Sequence, residues 1–336
     1  MDMRWISIFY FVCVMGCGTE SPTLVVIRGQ TMGTTFQVKL PDMGLDRAKL
    51  DAEINALLRE VNRQMSTYQK DSEITQFNQS QTTDWVGISE DFGYVLGVAQ
   101  QVSTWSDGAF DVTVGPLVNL WGFGPEAVPE RIPPQDSIGT RMAITGYQKL
   151  AIQADRKAVR KQHGDMYCDL SAVAKGFGVD KVTAYLDGVD VRAYFVEIGG
   201  EVRVRGRNIK GERWRVGIAT PTEQGGLQKV VDIEDQAIAT SGDYHNYFEK
   251  DGTRYSHTID PRTGRPITHY LASVSVIHNE CAYADALATA INVMGPDKGF
   301  AFALERNLPV FMIVKGENGF DEKMTPAFEK IFYRQD

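Results

Sequence analysis

The sequence predicts an α+β fold, mainly antiparallel β-sheets with packed helices, and three observations lead there. Segments with helical periodicity concentrate in the first half, short β-rich runs crowd the stretch from Ala193 onward, and strict βαβ alternation is missing. At 336 residues the chain sits near the limit for one core. Residues 17–336 therefore read as one domain, with two intimately packed lobes as the variant.

Taken in order, residues 24–28 and 34–40 read as a strand pair around Gly29 to Gly33. Residues 46–65 predict an amphipathic helix with Leu50, Ile54, Leu57, Leu58, Val61 and Met65 on one face. Ser89 caps a second helix bearing Phe92, Val95, Leu96, Ala99 and Val102, with Glu90 and Asp91 in its first turn. Residues 122–140 carry four prolines and read as a surface loop. A third helix follows Ser171, through Phe177, Val182 and Leu186. Strands are expected at 193–198, 201–205, 214–219, 230–233, 236–240, 244–248, 254–259 and 272–277, with Asp251-Gly252 marking a hairpin. A fourth helix, 280–294, stops at Gly295-Pro296, and a short helix leads to a last strand at 310–315.

The amino terminus addresses the compartment. Arg4 supplies a positive charge, residues 5–15 form an apolar run too short to span a bilayer, and Val14-Met15-Gly16-Cys17 closes it, as in a bacterial lipoprotein signal. An ordinary cleaved signal or a buried first strand competes with that reading. On the lipoprotein reading residues 1–16 are removed and Cys17 is acylated, anchoring the chain on the periplasmic side of a bacterial membrane. The inner membrane is placed ahead of the outer, although Gly18 lacks the acidic residue that often marks inner-membrane retention.

Two cysteines then remain, Cys168 and Cys281, too few for a disulfide framework and at no zinc-finger spacing. Each precedes a motif acid, so the two sulfurs approach if those motifs converge; two small buried hydrophobes is the plainer reading. Composition is that of a soluble globular protein, 43% hydrophobic and 23% charged, with a net charge of −8 and no basic stripe. Nucleic-acid binding is disfavoured, and an anionic ligand would need placed cations or helix amino termini.

Three segments carry chemistry. Residues 256–266 form an extended run into a Pro/Gly turn holding His257 and the acid–arginine pairs, good material for a site on a rigid loop. Asp285 and Thr289, four apart on an otherwise apolar helix, present two oxygen ligands in one direction. Asp169 and Lys175 bracket the first turn of a helix, where free N–H groups attract phosphate. An oxygen-only pair favours Mg²⁺, with Ca²⁺ possible, over zinc. Together these are the equipment of phosphoryl transfer. Taken singly, Asp169 reads equally as a capping acid, Thr289 as a back-bonded core residue, and His257 as a hydrogen-bonded strand histidine that orients the loop. Arg262 and Arg265 either clamp phosphate or brace the turn.

These segments, with Gly29-Gln30-Thr31-Met32-Gly33-Thr34-Thr35, Met65-Ser66-Thr67-Tyr68, the run 108–118, Glu197-Ile198-Gly199-Gly200-Glu201 and Ala239-Thr240-Ser241-Gly242-Asp243-Tyr244, span nearly all of the mature sequence. In them the chain resembles the FAD:protein FMN transferase (ApbE) family. The resemblance implies a T-fold-like architecture and an enzyme that moves the FMN moiety of FAD to a Thr or Ser hydroxyl of an acceptor protein and releases AMP. It further implies that Met32, Tyr68, Ala109, Phe110, Asp111, Asp169 and Lys175, with Ile259 as a weaker candidate, line the FAD site. The carbonyl of Ala172 and the side chains of Asp285 and Thr289 would hold the metal. His257 is the choice for general base and Asp243 its competitor. Acceptors would be flavin-carrying subunits of membrane redox complexes. FAD hydrolysis to FMN and AMP, or flavin binding without chemistry by a periplasmic lipoprotein, are the alternatives.

Overall fold

The computed structural model describes residues 23–124, 132–222, 225–242, 247–250, 253–317 and 319–334. The signal segment, Cys17 and Asp243 lie outside them.

The chain opens with a hairpin, β1 (Leu24–Thr31) and β2 (Thr34–Pro41), then α1 (Arg47–Met65), α2 (Glu73–Gln79), β3 (Val86–Gly87) and α3 (Glu90–Trp105). Next come α4 (Gly115–Leu120), α5 (Gln135–Ile144), β4 (Leu150–Ile152), β5 (Ala158–Lys161) and α6 (Ala174–Gly188). A run of strands follows: β6 (Tyr194–Ile198), β7 (Glu201–Arg205), β8 (Trp214–Ala219), β9 (Leu227–Ile233), β10 (Ala237–Gly242), β11 (Tyr247–Lys250), β12 (Thr253–Ser256), β13 (Ile259–Asp260), β14 (Arg265–Pro266) and β15 (Leu271–His278). The chain closes with α7 (Cys281–Glu305), β16 (Val310–Gly316), β17 (Gly319–Met324) and α8 (Pro326–Phe332).

Among the described residues eight strands form the central sheet in the order β1-β2-β6-β7-β10-β15-β16-β17, and each neighbouring pair is antiparallel. Period-two alternation sorts its side chains between two cores. Val196, Val276 and Met312 face the layer of α1, α3, α6 and α7, while Phe195, Ile277 and Phe311 face a second layer of β8, β9 and α8. A smaller cluster of Leu117, Trp121, Ile138, Phe248 and Ile259 underlies α4, α5 and the strands β11 to β14.

Local chemistry explains the helix starts. Asp46 accepts from the N–H groups of Ala48 and Lys49 to cap α1, and Ser89 caps α3 through Phe92. Across the fold, Asn78 Nδ2 donates to the Cys168 carbonyl and Asn78 Oδ1 accepts from the Cys168 N–H, both at 2.8 Å.

Several expectations are corrected. Of the loop expected at 122–140, residues 125–131 lie outside the described residues and its end, from Gln135, belongs to α5, because its last prolines stand ahead of the first turn, where a missing N–H costs nothing. The strand expected at 254–259 breaks after Ser256, whose hydroxyl accepts from the Thr258 N–H at 3.1 Å and turns the chain at His257. As expected, Gly295, with φ of +80°, ends the helical geometry of α7, and the short helix expected after it starts directly at Pro296. The strand at 310–315 is not the last, since β17 pairs along it. Cys168 and Cys281 are both free and fully buried.

Candidate active site

A cleft of about 1100 Å³ opens between the β1–β2 hairpin, α1 and the start of α6, at the upper end of the range for small-molecule sites. Met32, Tyr68, Asp169 and Lys175 all line it. Met32 and Gly33 form the hairpin turn with φ of +50° and +72°, the pattern of a two-residue primed turn. A left-handed methionine is strained by roughly 1–2 kcal/mol. Its side chain packs between the two helix-side core clusters and against Gly178. Asn62 holds the hairpin to α1 by donating to Thr31 Oγ1 at 2.9 Å. Tyr68 is 73% exposed on the turn after α1, whose ends are fixed by Ser72 Oγ donating to the Ser66 carbonyl at 2.6 Å.

Asp169 N–H donates to the Val112 carbonyl at 2.7 Å, joining this wall to the segment of Ala109, Phe110 and Asp111. Its Oδ1 accepts from Ser171 N–H at 2.9 Å, so it caps the turn ahead of α6 rather than the helix itself. The helix is capped from elsewhere: Gly176 N–H donates to Asp285 Oδ2 on α7 at 3.0 Å. In return Asp180 on α6 accepts from the Cys281 and Ala282 N–H groups at the start of α7, at 3.0 and 2.9 Å. Two helices thus cap one another with carboxylates, each placed where a helix dipole favours negative charge. Gly176 permits the approach, since a methyl there would stand 2.4 Å from the Cys281 carbonyl oxygen.

Lys175 meets Glu201, the first residue of β7, at 2.6 Å. Burial alone would lower the lysine pKa, but the charges of Asp285 and Glu201 outweigh it and raise it. Burial, followed by the Asp285 charge, pushes Glu201 up to about 8. Burial also raises Asp285 against the pull of Lys175 and the Gly176 bond. Two buried carboxylates therefore share one ammonium, a perturbed cluster beside a cleft.

Among the described residues no group of three or more His, Cys, Asp or Glu converges on a metal position. A cation here would rest on one carboxylate with neutral oxygens. Asp285 is buried with a single hydrogen-bond donor among the described residues, and Glu201 Oε2 is buried with none, leaving carboxylate oxygens unsatisfied. Thr289 follows one turn along α7, and Ala172 lies in the turn just before α6. This donor set suits a hard divalent ion.

Other expected site residues sit apart from the cleft lining. Asp111 is buried, with Oδ1 accepting from Thr113 N–H and hydroxyl at 2.8 and 2.7 Å and Oδ2 from Tyr147 N–H at 2.7 Å. Its side chain holds the loop, and only its backbone is left for a ligand. Ala109, Phe110 and Ile259 are buried. His257 is half-buried, edge-on to Phe123 at 6.4 Å, next to the stacked rings of Phe123, Phe248, Tyr255 and Trp121. Arg262 forms a paired contact with Asp260, both at 2.9 Å, and Arg265 meets Gln135. Both arginines brace the turn.

The sequence reading passed over Asn55, Arg59 and Asn62, which line the cleft from α1. Their spacing of four and three was the available signal: a polar stripe beside the apolar one. Glu201 closes the motif 197–201, and nothing near it in sequence points to the lysine it meets.

The sequence profile of the ApbE family matches residues 32–312. The chain belongs to that family. The FAD:protein FMN transferase of Vibrio cholerae serotype O1 is 46% identical over 316 residues, covering 93% of this chain and 94% of that protein. Its counterpart from Haemophilus influenzae is 42% identical over 334 residues, covering 97% and 96%. The solved flavin transferase ApbE from Vibrio cholerae superposes with a TM-score of 0.86 at 44% identity, covering 92% of this chain and 99% of that one. This ApbE-family chain is an enzyme with an α+β fold.

Proposed function

We propose that this enzyme takes FAD, transfers the FMN moiety to a Thr or Ser hydroxyl of an acceptor protein and releases AMP, with Mg²⁺, or Ca²⁺ in its place, at the pyrophosphate. One observation carries the reading: Lys175 and Gly176 are consecutive, the first facing the cleft and the second holding the buried Asp285 through its N–H. A phosphate in the cleft and a cation on Asp285 would thus be neighbours. The names of the relatives support the flavin substrate.

Each side chain has a part in this reading. Tyr68 offers an exposed aromatic face to a flavin or adenine ring, and Met32 an apolar edge beside it. Asp169 orients polar groups of the dinucleotide, and Lys175 offsets phosphate charge, while the backbone of Ala109, Phe110 and Asp111, with that of Ile259, borders the ligand. Asp285, Thr289 and the Ala172 carbonyl would hold the cation, which supplies charge stabilisation for the transferring phosphoryl group. His257 takes the proton of the acceptor hydroxyl as that oxygen bonds to the FMN phosphorus. The bond from this phosphorus to the bridging oxygen breaks, and AMP leaves with the electron pair. Asp243 is the competing base.

The compartment belongs to the same proposal. An acylated Cys17 would tether the enzyme on the periplasmic face of the bacterial membrane, the inner one ahead of the outer, near redox-complex subunits that accept flavin. The test is intact-mass analysis of a candidate acceptor incubated with enzyme, FAD and Mg²⁺, beside a control without acceptor. A mass gain equal to FMN supports transfer; AMP formation at the same rate without acceptor marks a hydrolase, and no AMP at all marks a flavin-binding protein.

A further inference from the structure

Lys175 has two neighbourhoods. Its stem crosses Gly199, where an added methyl would stand 3.3 Å from Cδ, and its ammonium meets Glu201; yet the residue also lines the cleft, with 30% of its side chain exposed. Glu201 enters β7 directly after the Gly199-Gly200 turn, with φ of +58° and +101°, which leaves its side chain 2% exposed. Lys175 occupies Oε1, while Oε2 is buried with no hydrogen-bond partner among the described residues. An orphaned buried acceptor is a cost that folds seldom keep without a use. Asp285 is held at the residue after Lys175, on the Gly176 N–H at 3.0 Å, and its charge helps to raise the Glu201 pKa after burial.

We propose that Lys175 is the resident counter-ion of the Asp285–Glu201 pair, that a divalent cation competes with it for those carboxylates, and that cation entry turns the ammonium toward an anionic ligand in the cleft. The inference rests on reading Asp285 as a cation ligand. Its logic is charge balance. Once both carboxyls are ionised, one ammonium leaves the pair a negative charge in excess, and a divalent ion, by displacing the Glu201 proton, both satisfies the pair and makes the lysine surplus. The exposed part of the Lys175 side chain gives the freed ammonium a way out that does not require the backbone to move.

The experiment uses the whole chain without flavin and Mn²⁺ as probe, with affinity read by calorimetry. Lys175→Met should bind Mn²⁺ about tenfold or more tightly than wild type, and Glu201→Gln about tenfold more weakly, as expected for one buried charge near a divalent ion. Mn²⁺ should also speed acetylation of Lys175 by an amine-reactive reagent severalfold, followed by peptide mass spectrometry in the wild-type protein. That readout and Glu201→Gln keep the test open if Lys175→Met does not fold. Unchanged affinity in either variant, or an unchanged labelling rate, overturns the competition while leaving the cation site standing. A wild-type protein that binds neither Mn²⁺ nor Mg²⁺ overturns the cation reading and this inference with it.

Discussion

Lys161 and Lys175 are both drawn in from solvent, and the fold settles them in opposite ways. Lys161, 1% exposed at the end of β5, points its ammonium at the carbonyls of Phe77, Asn78 and Met166, at 3.0, 3.3 and 3.4 Å. Three donors meet three neutral acceptors, and nothing is left over. Lys175 instead meets one oxygen of one carboxylate while a second carboxylate lies beside it. The first arrangement is complete and is not part of the site cleft. The second is uneven and lines one, and unevenness of that kind marks where a ligand is meant to complete the set.

The largest test of that contrast is Asp285→Ala, which should lower turnover by about 10³-fold or more while flavin binding partly survives; steady-state kinetics beside flavin titration reads both. Unchanged turnover would remove Asp285 from the chemistry. Next, Lys161→Met should cost about 3 kcal/mol of stability by leaving buried carbonyls without donors, with turnover per folded molecule intact. Denaturant unfolding beside activity decides it, and lost turnover at full stability would erase the distinction between the two lysines. A smaller effect lies in pH. The Glu201 carboxyl is raised in the folded state, so its contribution is fully present below its ordinary value of 4.5 and is lost as pH rises through about 8. Thermal unfolding of the cation-free protein should therefore weaken across that window, by up to about 2 kcal/mol, and Glu201→Gln should make the slope shallower. The smallest effect concerns the hairpin. Met32→Asn relieves a left-handed methionine, so stability should change by less than about 1 kcal/mol, while the KM for FAD rises about tenfold through lost apolar contact. A Tm shift without a change in KM would assign Met32 to packing alone.

What the sequence allowed to be read follows from range. The amphipathic α1, the Ser89 cap, β7, β8 and the break at Gly295 are encoded within a few residues and were legible. The strands β3, β4 and β5 were missed because two to four residues carry too little pattern, and α5 because its prolines stand outside the helix they precede. In the site, Met32, Tyr68, Asp169 and Lys175 were readable as motif residues and share one cleft. The reciprocal capping by Asp285 and Asp180 was hidden, because each acid serves a helix start more than a hundred residues away. Nothing local to Asp111 tells that three donors occupy its carboxylate, one of them from Tyr147.

The amide of Asn78 has a practical consequence. By grasping both backbone groups of Cys168, it makes a stretch of 90 positions leave and return through a single doorway, with Asp169 standing just inside. Of what is built on that excursion, α3 belongs to the helix-side core and Val112 holds the threshold residue by its carbonyl, so only outer pieces such as α5 can change length without disturbing the reaction chamber.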